Sequence, residues 1–137
     1  MNYKLPNDRQ VVDALKKVLS EHKTINSQTK LQHLVTEELK KREPLYNISE
    51  KRLRVIAVRT NFVSIKIFTR DTEEKTPERC PVCTTPLKYP SKEWESEIAS
   101  EYVCSLCSYR TGKTKRVPVR YRFSLVVNYH SLNPNGF

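Results

Sequence analysis

Apolar residues return along the first half of the chain with the period of a helix. Val11, Leu15, Val18 and Leu19 lie at i, i+4, i+7 and i+8, with His22 at i+11, and predict one buried stripe on a helix running to about residue 22. Asn7 precedes it as N-cap, and Gln10 stands where a capping box needs a side chain to reach back. Thr24-Ile25 reads as a link or a strand of one or two residues. Asn26 or Ser27 then caps a second helix with Leu31, Leu34, Val35 and Leu39 on its buried face, and Pro44 stops it. Glu37 with Lys41 and Glu38 with Arg42 are spaced to pair along that helix. Ser49 caps a third helix to about Arg59, on which Leu53, Ile56, Ala57 and Thr60 share the inner face.

Past residue 60 the period changes to two. Val63, Ile65 and Ile67 alternate with Ser64 and Lys66 and predict a strand over 61–70. Residues 71–78 are polar and aperiodic, and read as a linker or wing loop. From Val117 to Tyr129 every odd position is apolar, which is longer than an ordinary strand. Its first part is expected to complete a sheet around the cysteines and its later part to pair with residues 62–69. The intervening module would then be inserted into a wing and held as one body with the helices. Three short helices followed by a strand is the order of a winged helix-turn-helix. Between the cysteine pairs, Trp94 and Ile98 predict a short helical turn capped by Ser91, with Trp94 packed rather than stacked on a ligand, because Glu93, Glu95 and Glu97 would repel phosphate.

The chemistry of the chain lies in four cysteines. Cys80-Pro81-Val82-Cys83 and Cys104-Ser105-Leu106-Cys107 enclose residues 84–103, a spacing that predicts a four-cysteine zinc ribbon. Each C-x2-C turn aims two sulfurs at one point, and four thiolates close a tetrahedron with no position left for substrate, so the zinc is structural. Two disulfides are the first rival. With no signal peptide read and a reducing cytoplasm as the expected location, the thiols should stay free. Iron is the second, since rubredoxin-type carriers also use four cysteines. Thr84 and Ser108 stand where such knuckles commonly place glycine, which argues against iron and leaves the knuckle geometry open.

Charge changes the picture further. The chain has 137 residues and a formal charge of +10. Residues 1–70, 71–107 and 108–137 carry +8, −4 and +6 in turn. Positive blocks flanking a negative one point to a polyanion, nucleic acid first, with double-stranded DNA the expected form. On the third helix Lys51, Arg52, Arg54, Val55 and Arg59 occupy the open face with Glu50 the only acid, the composition of a helix that enters a major groove. After the second cysteine pair, Arg110, Lys113, Lys115, Arg116, Arg120 and Arg122 form a basic finger suited to phosphate. No run of 18 apolar residues occurs, so no membrane span is expected. Gly112-Lys113-Thr114 echoes a phosphate-binding loop but lacks its upstream glycine, and no catalytic constellation emerges, so an enzyme is not expected.

The fold class is thus α+β: a winged helix-turn-helix (three helices plus a β-hairpin) over 1–75 and a zinc ribbon with four cysteine ligands over 76–123, with a long strand over 117–130 returning toward the first module. Cys-Pro-Val-Cys and Cys-Ser-Leu-Cys, with Pro81, Tyr102 and Tyr109 beside them, after a helix-turn-helix unit, resemble the small archaeal predicted transcription regulators that join a winged helix to a rubredoxin-like zinc ribbon. The resemblance implies a cytoplasmic, DNA-binding transcription regulator. RNA or ribonucleoprotein association, or an adaptor role among transcription proteins, are the alternative readings, and the oligomeric state is open.

Overall fold

The computed structural model describes residues 3–88 and 101–126. Among them the chain is mixed α+β. Its order is α1 (Asp8–His22), β1 (Thr24–Ile25), α2 (Gln28–Lys40), α3 (Glu50–Val58), β2 (Val63–Lys75), β3 (Tyr102–Val103), β4 (Arg110–Thr111) and β5 (Thr114–Leu125). The expected turn around Trp94, and Val127, Asn128 and Tyr129 of the expected long strand, lie outside the described residues. No described helix is long and apolar enough to cross a membrane.

The chain divides into two compact units. One comprises Met1–Ile65 with Arg122–Phe137, and the other Lys66–Tyr121. In the first unit the helices begin at real caps. The Asn7 side chain accepts from Gln10 N at 2.8 Å and Asn7 N donates to Gln10 Oε1 at 2.9 Å, a complete capping box. Ser27 Oγ accepts from Lys30 N and Ser49 Oγ from Arg52 N, each at 3.1 Å. These bonds satisfy N–H groups that a helix start otherwise leaves without acceptors. Lys23 leaves α1 at φ 67°, and its N–H closes on Leu19 O at 2.8 Å.

The stripes bury as a helix period requires, except at His22, which is exposed at the end of α1. Val11, Leu15 and Leu19 of α1, Leu31 and Val35 of α2, and Ala57 of α3 are fully covered. Leu34 is only half-buried, and Thr36 takes an inner position instead. Gln32 Nε2 donates to Ile48 O at 2.8 Å and fixes the chain that leads into α3. The two ion pairs expected along α2 give way to others. Glu38 meets Lys17 of α1 at 3.0 Å and Lys41 at 3.1 Å, while Glu37 faces His33.

β5 lies between the other two long-range partners, in the order β1-β5-β2. Thr24 is opposite Ser124 and Ile25 opposite Phe123, antiparallel. Leu125 N donates to Lys23 O and Val126 N to Phe62 O, both at 2.9 Å. Phe123, opposite the buried Ile25, is itself fully buried. β2 continues to Lys75, so the polar stretch 71–75 is strand rather than loop. It neighbours β5 in the sheet, and two side-chain bonds reach the facing chain, Thr72 Oγ1 donating to Lys115 O and Thr76 Oγ1 to Gly112 O, both at 2.6 Å.

Glu38 yields a pH prediction. The hydrogen bond from Lys17 holds its carboxyl below the usual carboxylate range, against the opposing effect of burial. A depressed folded-state value means stability that is present above the unfolded value, about 4.3, and lost as pH falls through the folded one. E38Q should therefore lower the melting temperature at pH 7, and the gap to wild type should close as the pH drops below the carboxylate range. Melting curves across pH 2–7 check this; a gap that is constant with pH would exclude the ion pair as its source.

Candidate metal centre

The second unit is organised around sulfur. Cys80 and Cys83 flank Val82, which is completely buried, in a turn closed by Thr84 N on Cys80 O at 2.8 Å and Cys80 N on Thr85 O at 2.7 Å. Cys104 and Cys107 occupy a second turn that starts just after β3. Its closure is Cys104 N on Tyr109 O at 3.1 Å. β3 pairs with β4, Tyr102 opposite Thr111 and Val103 opposite Arg110, and Lys88 bridges to Val103. These short ladders are what bring two turns twenty residues apart in sequence to the same place.

All four sulfurs lie within 4.8 Å of one another. Cys80 Sγ is 3.5 Å from Cys107 Sγ, and Cys83 Sγ is 3.5 Å from Cys104 Sγ and 3.9 Å from Cys107 Sγ. A tetrahedron with metal–sulfur bonds of about 2.3 Å has edges of about 3.8 Å. The cysteines are free, at distances far above the ~2.05 Å of a disulfide. The four cysteines are positioned to bind one metal ion.

Backbone donors are already aimed at the sulfurs. Val82 N points at Cys80 Sγ, and Leu106 N and Cys107 N at Cys104 Sγ, each at 3.3 Å. Such donors favour thiolate over thiol. Without a cation the sulfurs share protons unevenly. The bond from Cys107 draws the Cys80 thiol down to about 5, while the same bond pushes Cys107 up and burial pushes Cys83 up. A bound cation replaces those protons, since thiolates are the metal ligands.

Tyr109, beside the second turn, is 1% exposed and its hydroxyl donates to Arg116 O at 2.5 Å. Burial raises its pKa. Thr111 is completely buried; its Oγ1 donates to Thr114 O and accepts from Arg116 N, both at 2.9 Å. These two side chains tie β4 and β5 to the cluster, and nothing in the cysteine spacing announces them.

The knuckle geometry left open by the absent glycines is resolved at one turn. Thr84 adopts φ 68°, the left-handed conformation glycine usually supplies, and its hydroxyl donates to Cys83 O at 2.5 Å. Ser108 is not at positive φ.

The basic residues fare differently from one another. On α3, Arg52 Nη2 is 2.8 Å from Asp8 Oδ1, and Arg54 Nη1 donates to Gln28 Oε1 at 2.6 Å. Glu50, the one acid, is itself turned to α2, accepting from Gln28 at 3.2 Å and Thr29 at 3.0 Å. Val55 lines a cleft of about 290 Å³ with Asp8, Val12, Arg52, Ile56, Arg59 and Thr60. Lys51 and Arg59 are exposed. In the finger, Arg110 meets Glu101 at 3.5 Å, and Arg116 meets Asp71 at 3.5 Å and Glu101 at 3.6 Å. Lys113 is exposed, Lys115 half-buried, Arg120 lies over the Phe68 ring, and Arg122 Nε donates to Asn26 Oδ1 at 2.9 Å. Comparison with protein-family models, curated proteins and solved structures found no match to the chain.

Thr84 supplies a test of the knuckle. The left-handed conformation costs a branched residue roughly 1–2 kcal/mol, part of which glycine returns through its greater freedom when unfolded. T84G should raise the stability of the metal-loaded protein by about 0.5–1 kcal/mol, read from denaturant melts. A fall would mean that the hydroxyl bond to Cys83 O outweighs the backbone strain.

Proposed function

We propose that the chain is a nucleic-acid-binding protein of winged helix-turn-helix type with a structural zinc ribbon, acting in the cytoplasm as a DNA-binding transcription regulator. The observation that carries the reading is the sheet order β1-β5-β2 together with helices and strand in the order α1-β1-α2-α3. In a winged helix the last strand returns between the first two in this way, and the third helix is the reading helix. The composition of α3 supports the same view. Its only acid is turned inward, and Lys51 and Arg59 stand exposed on a shared outer face with Val55 between them. Arg52 and Arg54, held by Asp8 and Gln28, are read instead as residues that position the helix.

Zinc is the metal of this reading. Four thiolates at tetrahedral spacing suit a d10 ion that needs no open position, and they saturate it, so the site braces the fold rather than catalysing. The metal-bound cluster carries −2, two formal charges less than four neutral thiols.

Two measurements test the proposal. Native mass and metal analysis should give one zinc per chain and a colourless protein; red, reducible material would replace zinc by iron. For DNA, K51A/R59A should weaken duplex binding at least tenfold and lower the salt slope by roughly two, one for each phosphate no longer neutralised. R54A should instead lower the melting temperature and change affinity little. Unchanged duplex affinity in K51A/R59A would reject α3 as the reading helix.

A further inference from the structure

The cations that the sequence gathers into a finger are partly neutralised in the fold, and one of them, Arg120, is left open together with two cations of β2. Arg110 and Arg116 meet Glu101 and Asp71. Along β2, by contrast, Lys66 and Arg70 are exposed, as is Arg120 on β5, and none of the three meets a carboxylate among the described residues. No acid occurs from residue 62 to residue 70 or from 110 to 126. At the centre of this set is Phe68, half-exposed. The Arg120 guanidinium carbon lies 4.3 Å from its ring centroid and Lys66 Nζ 5.3 Å. A contact at each of these distances places Lys66, Phe68 and Arg120 on one face of the β2–β5 ribbon. Arg70 follows Phe68 by two residues and so shares that face, successive same-face residues being about 6.6 Å apart.

We infer that this face is a stacking site for the unpaired bases of a single-stranded nucleic acid. The inference rests on the nucleic-acid reading above and adds a second ligand form, at residues other than those of α3. Arg120 held over Phe68 offers a planar cation on an aromatic ring, the combination on which an unstacked base packs irrespective of its identity. Lys66 and Arg70, one on either side of Phe68 along β2, meet the flanking phosphates. A duplex keeps its bases stacked on one another and cannot present a free face to the ring. An acidic protein would use the three charges but gain nothing from the ring or from guanidinium planarity.

The test uses the full-length, metal-loaded protein and labelled oligothymidylate and oligouridylate of about 15 nucleotides, with a mixed-sequence duplex beside them, in anisotropy titrations at low salt. F68L keeps an apolar side chain and R120K keeps the charge, and both should keep the wild-type melting temperature. Each should weaken single-strand binding roughly tenfold while duplex binding stays within about twofold, and K66A/R70A should reduce the salt slope on single strands by about 1.4, two phosphates at about 0.7 each. The oligomer that binds more tightly identifies DNA or RNA as the source. Single-strand affinity unchanged in both F68L and R120K overturns the stacking site, whatever K66A/R70A does. If that happens while wild type still binds duplex, the regulator reading stands alone; if wild type binds neither form, both readings fall together.

Discussion

The helical unit is closed by residues that arrive last. Phe123 is fully buried, and Leu125 and Val126 donate their N–H groups to the carbonyls of Lys23 and Phe62, yet Lys66–Tyr121 intervene in the chain before them. Closing a long flexible loop costs entropy that grows only slowly with its length, but that cost falls before the contacts that repay it. A compact insert whose own two ends are paired strands lowers the cost, because the ends leave it already side by side. The insert is small, and among its described residues Val82, Tyr109 and Tyr121 are the buried apolar side chains besides the cysteines. A unit of that size needs a staple, and the four-sulfur cluster is where one metal ion would supply it.

What could be read from the sequence was what depends on near neighbours. The caps at Asn7, Ser27 and Ser49, the stripes of α1 and α3, and the convergence of Cys80, Cys83, Cys104 and Cys107 each follow from residues a few positions apart, or from a spacing that chemistry constrains tightly. Residues 71–75 failed to announce themselves because they lie in a strand beside β5, a long-range neighbour, and carry no alternation of their own. Thr84 is the opposite case: the sequence lacks the glycine that would signal a left-handed turn, and the surrounding hydrogen bonds impose the turn on a branched residue.

Charge was the least legible property. A sequence counts cations but does not say which acid each one meets. Asp8 and Arg52 are 44 positions apart, and Asp71 and Arg116 are 45 apart. Even the local pairs of α2 rearranged, because Lys17 of α1 offered Glu38 a partner across the helix interface. Exposed pairs of this kind add little stability, about 0–1 kcal/mol each. Their larger effect is to remove particular cations from those available to a polyanion.

Regrouping the charges by unit changes what a polyanion would meet. The blocks of +8, −4 and +6 along the sequence become fourteen Lys and Arg against seven Asp and Glu in the helical unit, and eleven against eight in Lys66–Tyr121. A metal-bound cluster of four thiolates would take the second unit from +3 to about +1. A nearly neutral unit attracts a polyanion weakly from a distance; long-range steering would come from the helical unit, whose excess of +7 is larger. Whatever affinity the second unit has must therefore be short-ranged, made where cations are segregated from acids and where a ring adds an attraction that salt does not screen. Lys66, Phe68, Arg70 and Arg120 meet both conditions, and Arg110 and Arg116, for all the basic character of their sequence, do not meet the first.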